Sequence, residues 1–402
     1  MLTLYSTQRF HTVSLTALYH KLKPLCSSPA EEVSIDGGTV VIRRYHFSSV
    51  AEVPPCDVPA EVQRFMLPAR PDGKIAENRS FTFPVVFPQI GGSYSRAILM
   101  FHGINERSWK KYLPWAYTLA ERTHRPVILF PMAFHVNRGL RRWVSPQAMQ
   151  PLLEQRQALE GQEHSTFANV AISQRIHEAP MRFYIAGHQS AEDIVRLIAL
   201  VGRGQIEGLR EGARVDAFAY SIGAMLAQAL FIANPGDLLS GAKMFMFCGG
   251  AHFSTMRGCT RLIMDCVAHT ALRSFFLNDF LSLLDGASDF AEFFGANPLG
   301  QGLAAMIEPS RNAALFEQRM AAMAGHLQVV TLREDQVIPS RCIHDTFAGI
   351  APRMGCDFMH ELHFEHEYRH EMPFPIFNDS TSRLVDASFE QVFDAATEFF
   401  LR

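Results

Sequence analysis

A chain of 402 residues, 48% of them hydrophobic, carries enough apolar material for one large domain or two ordinary ones. Its 37 Lys+Arg against 40 Asp+Glu leave a formal charge of −3, which supplies no electrostatic ground for a nucleic-acid or anionic-membrane partner. Seven cysteines without a C-x-x-C pair predict reduced thiols in a cytoplasmic setting.

Residues 1–30 read as a helical or irregular leader ending near Pro24 and Pro29. Its opening, M-L-T-L-Y-S-T-Q-R-F-H, has no basic segment leading into an unbroken apolar one, so no signal peptide is expected. Residues 31–95 alternate strand-like runs at 39–45 and 80–87 with connections marked by P-P at 54–55 and G-G at 91–92. From Ala97 the texture changes to A-I-L-M-F-H-G, a continuous apolar run such as a buried parallel strand gives. Similar runs follow at 126–131, 215–220, 243–248, 327–332 and 357–364. Between them, 145–186 is polar and Gln-rich. A helix is expected from Ser190, where S-A-E-D forms a capping-box pattern. The long interval 253–325 is helix-like and rich in phenylalanine, at 275, 276, 280, 290, 293 and 294. Strand–helix alternation of this kind predicts an α/β fold: a doubly wound, mostly parallel sheet with helices on both faces.

The most informative stretch is V-D-A-F-A-Y-S-I-G-A-M-L-A-Q-A-L-F-I-A-N-P at 215–235. An apolar run leads into Ser221, and a helix-forming pattern follows until Pro235 ends it. A strand that turns sharply into a helix presents a serine at the turn only if the positions two before and two after are small. Here they are Ala219 and Gly223. The span from Ala217 to Pro235 is uncharged, as a membrane helix would be, but Ser221, Gln228 and Asn234 interrupt it and no Lys/Arg-rich flank sets an orientation. A buried strand and a buried helix are expected instead.

F-H-G-I-N-E-R-S-W at 101–109, Ser221 at its turn and R-E-D-Q-V-I-P at 333–339 resemble, in this chain order, the α/β-hydrolase superfamily. The resemblance spans roughly residues 80–402. It extends to a bacterial group of unknown function with H-G-x-N-E-R-S-W and K-Y-L-P-W-A runs like those at 102–116, which implies nothing about substrate. Three units are implied: a leader region at 1–80 packed on the core, a hydrolase core at 81–252 and 326–402, and a helical cap at 253–325 over Ser221 that supplies apolar pocket wall, each single phenylalanine being expected first to pack the insert itself. Ser221 is the implied nucleophile and Asp335 the triad acid, with Glu334 as its substitute. Of the histidines downstream, His360 and His363 fall in a strand-like run. His370 lies in the loop stiffened by Pro373 and Pro375 and is the expected general base, with His366 the alternative. The oxyanion donors are the amides of Ile222 and Ile104. Gly103 and Asn105 are candidate substrate contacts, and so is Arg138, which follows a strand-like run where open sheets bind ligands. His102 reads as a structural histidine. The implied activity is a serine hydrolase acting on a carboxylic ester or related acyl compound through an acyl-enzyme. Its partner is a small acyl substrate, with no metal or cofactor, and the oligomeric state is left open.

One motif points elsewhere. H-E-Y-R-H at 366–370 is a literal H-E-x-x-H, with Glu390 downstream as a third ligand for a zinc peptidase. That motif needs a helix, whereas a strand-like run precedes it and Pro373 and Pro375 follow. A catalytically inactive binding module on the same fold is the other alternative.

Overall fold

A computed structural model describes residues 14–402 except 29, 36, 38, 55–71, 89–92, 159–163, 356 and 377–381. The first part of the leader, Pro29, Pro55, the G-G at 91–92, Cys56 and Cys356 lie outside the described residues.

The apolar runs become strands of one sheet: β1 (Glu32–Ile35), β2 (Val40–Ser48), β3 (Ser80–Pro88), β4 (Tyr94–Phe101), β5 (Val127–Leu129), β6 (Leu209–Tyr220), β7 (Met244–Phe247), β8 (Leu327–Leu332) and β9 (Met359–Leu362). Their spatial order is β1-β2-β3-β5-β4-β6-β7-β8-β9. β1, β2, β3 and β5 pair antiparallel, and every pairing from β5 through β4 to β9 is parallel. This is the doubly wound, mostly parallel sheet expected from the strand–helix alternation.

Side-chain alternation explains why the central runs are unbroken. In β4, Ala97, Leu99 and Phe101 enter one apolar layer while Ile98 and Met100 enter the other, and both faces exclude water. The first layer contains the helices Met181–Gly202, Ile222–Ala233 and Pro298–Ile307, and the second contains Leu15–Leu22, Tyr112–Thr123 and Ser382–Leu401. β6 sends the small Ala217 and Ala219 into the first layer and the bulky Phe218 and Tyr220 into the second. Phe218 there packs against Trp115 and stacks on Phe393. Burying each such ring stabilises by about 1.5–3 kcal/mol.

Four sequence expectations change. β1 was not foreseen. It is a short run beside a turn, and β1 and β2 join the main sheet. The helix expected from Ser190 already begins at Met181. The Ser190 hydroxyl donates to Ala186 O at 2.6 Å and accepts from the Ala133 amide at 2.9 Å, so it is paired inside the helix and caps nothing. The Gln-rich interval contains the helices Pro146–Gln157 and Val170–Glu178. Finally, Cys259 and Cys266 are disulfide-bonded, which corrects the expectation of reduced thiols throughout, while Cys26, Cys248 and Cys342 are free. Among the described residues no helix is long and apolar enough to cross a membrane.

Candidate active site

Ser221 occupies the turn between β6 and the Ile222–Ala233 helix with φ 59° and ψ −129°, a region L-residues rarely adopt. The small neighbours are required sterically. A Cβ on Gly223 would lie 2.6 Å from the His102 carbonyl oxygen and 2.8 Å from that of Phe101. Across the turn, a Cβ on Gly249 would meet the Ser221 carbonyl at 2.7 Å. The turn therefore lies flush against the end of β4. With a serine at a tight turn from a central strand into a helix of a mostly parallel sheet, the architecture is the α/β-hydrolase fold.

His102, fully buried, has Nδ1 2.8 Å from the Gly103 carbonyl and Nε2 2.9 Å from the Met132 amide. An amide N–H only donates, so Nε2 accepts and the proton sits on Nδ1, donated to Gly103 O. Burial holds the ring neutral by driving its pKa well below the usual value. The C=O and N–H of one trans peptide point in opposite directions, so anchoring Gly103 O turns the Ile104 N–H away from His102. The Tyr112 hydroxyl accepts the Gly103 amide at 2.9 Å and donates to Glu106 at 2.7 Å, which fixes the loop from its other side. Neither the Ile104 nor the Ile222 amide donates to another group of the chain among the described residues. Asn105, at φ 58°, gives its Nδ2 hydrogens to Ala168 O and Leu262 O, each at 2.7 Å.

Ser221 Oγ lies 2.6 Å from His370 Nε2, and His370 Nδ1 lies 2.7 Å from Asp335 Oδ2. Asp335 Oδ1 accepts the amides of Val337 and Ile338 at 2.9 and 2.8 Å, so both carboxylate oxygens act as acceptors. Nδ1 is then the donor to Asp335, leaving Nε2 free to accept from Ser221. All three side chains are buried. Tyr220 donates its hydroxyl to the His370 carbonyl and stacks on the imidazole, with ring centroids 5.7 Å apart. Sequence reasoning missed both Tyr220 and Tyr112. The signals available were an aromatic residue directly before the serine and the K-Y of the K-Y-L-P-W-A run.

Several other candidates are not brought here. Glu334 is exposed and lies 3.8 Å from His363. His366 faces Pro373 O at 3.1 Å and the Ser388 hydroxyl at 3.3 Å, away from Ser221. Residues 366–370 are not helical, and Glu390 pairs with Arg122 at 2.5 Å, so the H-E-x-x-H reading loses its geometry. Arg138, a candidate substrate contact by sequence, is fully buried with its guanidinium on Asp193 at 2.7 Å and on Asn78, and stacked over Phe81. A charge so enclosed is a structural pair, and it lines none of the clefts around Ser221. Among the described residues, one trio of potential metal ligands has its donor atoms within 4.8 Å of one another: His164, Cys259 and Cys266. The two sulfurs there are already bonded to each other.

A model of the family of unknown function DUF6051 matches residues 14–401. The chain belongs to this family. The match takes in the N-terminal region that the hydrolase motifs left uncovered. No curated protein matches the DUF6051 chain. Its likeness to solved structures is one of fold. A mutant of the esterase rPPE shares 11% identity at a TM-score of 0.42, with 94% of each chain covered. The peroxisomal alpha-beta-hydrolase Lpx1 of Saccharomyces cerevisiae shares 11% at 0.42, covering 90% of this chain and 89% of that one. A hyperthermophilic esterase from the archaeon Pyrobaculum calidifontis shares 10% at 0.40, covering 95% and 90%.

Three adjoining openings lie at or beside Ser221 in the DUF6051 protein. One cleft is lined by Ser221, His370, Gly103, Asn105, Leu262 and Ile263 among others. Beside it an apolar cleft enclosing about 790 Å³, part of it open to solvent, runs past Ile104 and Ile222. Its wall comes chiefly from the Val170–Glu178 and Met181–Gly202 helices, with Leu303 and Ile307 from the Pro298–Ile307 helix. The six phenylalanines of the 253–325 interval line none of these clefts. Phe276, Phe280 and Phe294 are buried among one another and against Phe183, Tyr184 and His188. The third opening, a wider groove, adjoins both clefts and is shared by Asn105, Arg107, His135 and Arg175.

Proposed function

We propose that the protein is a serine hydrolase that cleaves a carboxylic ester or related acyl compound through an acyl-enzyme. The observation that carries this reading is the run of short contacts from Ser221 through His370 to Asp335 at a strained turn. In the proposed cycle Ser221 Oγ attacks the acyl carbonyl carbon while His370 Nε2 takes its proton. The oxyanion accepts the amides of Ile222 and Ile104, a contribution of ~3–4 kcal/mol per donor. Collapse expels the alcohol, which receives the proton from His370. Water then repeats the sequence on acyl-Ser221 and regenerates the hydroxyl. Asp335 holds the Nδ1–H tautomer and stabilises the transient imidazolium. The apolar cleft beside Ile104 and Ile222 suits an apolar acyl group.

Labelling with a fluorophosphonate probe tests this reading. Wild type is expected to label stoichiometrically with or without a chelator, and Ser221→Ala not at all. A wild type that fails to label would leave the fold as a binding module. Ester turnover lost on chelation would return the zinc reading.

A further inference from the structure

We propose that Arg107 is an anion-recognition residue of the catalytic cleft, so that the preferred substrate is an ester whose alcohol portion carries a carboxylate or phosphate. The inference rests on the hydrolase reading and names its substrate class.

Arg107 lines the cleft that holds Ser221 and His370, and it also lines the wider groove that opens from it. Among the described residues its guanidinium makes a single hydrogen bond, 2.5 Å to the Trp143 carbonyl. Of the five N–H donors on a guanidinium, most therefore remain unused. Among the described residues no carboxylate forms an ion pair with it, and burial alone acts on its pKa, lowering it. The cations around it are treated differently. Arg175, on the same groove, grips both oxygens of Asp72 at 2.9 and 3.0 Å, and Lys111 bonds Glu106. The cleft's acids are occupied too: Glu106 by Lys111 and Tyr112, Glu371 by Thr260 at 2.5 Å. A half-buried charge with no anionic partner among the described residues carries a desolvation cost that a bound anion offsets. The planar fork of arginine matches carboxylate and phosphate oxygens in pairs. Because Arg107 does not line the apolar cleft beside Ile104 and Ile222, the anion belongs with the leaving alcohol rather than with the acyl group.

The test uses the full chain and three hexanoyl esters: of 4-hydroxybenzoate, of 4-hydroxyphenyl phosphate, and of neutral methyl 4-hydroxybenzoate. The kcat/KM ratio of at least one anionic ester to the neutral one should fall about tenfold or more in Arg107→Gln, the value of one charge-assisted pair. Arg107→Lys should keep part of the ratio, since it retains charge but loses the fork. The ester showing the larger fall separates carboxylate from phosphate. A ratio unchanged by Arg107→Gln for both anionic esters overturns the anion site while leaving the hydrolase reading intact. If no ester is hydrolysed and no probe labels Ser221, the hydrolase reading fails instead. Calorimetric binding of the phosphate ester to Ser221→Ala then decides the anion site. Binding should weaken about tenfold or more when Arg107→Gln is added, and absent or equal binding overturns the site.

Discussion

Two sets of elements meet at Ser221, and they are built by different rules. The loops at the C-terminal ends of β4, β6, β8 and β9 hold His102, Ser221, Asp335 and His370 through backbone geometry. Ser221 sits at φ 59°, Gly223 has no room for a Cβ, and two amides grip the Asp335 carboxylate. The helices over these loops shape space through side-chain volume. In the Met181–Gly202 helix, Tyr184, Ala186 and Gly187 all line the apolar cleft, and the Tyr184 ring also packs into the cluster of Phe280, Phe290 and Phe294. The difference teaches where a cavity forms. Rings of similar size close-pack and leave no void, whereas small residues opposite Leu303 and Ile307 leave a gap that packing does not fill.

The comparison breaks most sharply at the loops. Ser221→Ala and His370→Ala are each expected to lower ester kcat by roughly 10⁴–10⁶-fold with the fold retained. His366→Ala should be far milder on rate and should cost about 1–2 kcal/mol of stability, because its contacts are to Pro373 and Ser388. Steady-state kinetics beside urea unfolding measure both, and a larger rate loss at His366 would move the base there.

At the helices the effects should separate the other way. Phe294→Ala removes a fully buried ring and should cost about 3–5 kcal/mol in urea unfolding with acyl-chain preference unchanged. Gly187→Leu should do the reverse. A Cβ there meets Leu303 no closer than 3.5 Å, and replacing a mid-helix glycine improves helix propensity, so the chain still folds while the cleft fills. Long acyl esters should then lose about tenfold relative to short ones, a change of about 1.4 kcal/mol. Unchanged chain-length preference would show that the acyl group lies elsewhere.

A further effect, on stability rather than rate, belongs to the ring cluster's own titratable group. Burial lowers the pKa of His188 to about 4 from 6.5, so between those values the unfolded chain binds a proton that the folded chain refuses. The His188 contribution is present above pH 6.5 and is lost as pH falls toward 4, by at most about 1.4 kcal/mol per pH unit. Glu192, one turn on, is pushed up to about 7 chiefly by burial and works in the opposite sense, losing stability as pH rises from 4.5 through 7. His188→Gln should flatten the acid-side fall in urea-unfolding free energy, and an unaltered slope would mean that other histidines dominate it.

The sequence by itself determined what is encoded at short range. Both-faced burial writes continuous apolar runs, so the parallel sheet was legible. Ala219 and Gly223 mark the elbow within five residues, and Asp335 makes its own turn with the amides of Val337 and Ile338. Only the tertiary structure decided what depends on partners distant in the chain. His366 and His370 are four residues apart in one loop, and only Ser221 and Asp335, meeting His370 from β6 and β8, tell them apart. Arg138 and Arg107 each stand in a polar loop after a strand. One is buried because Asp193 lies on a helix packed against it, while the other faces the cleft with no acid paired to it among the described residues. The disulfide and the pocket wall were illegible for the same reason: each depends on how segments pack, which composition and periodicity do not record.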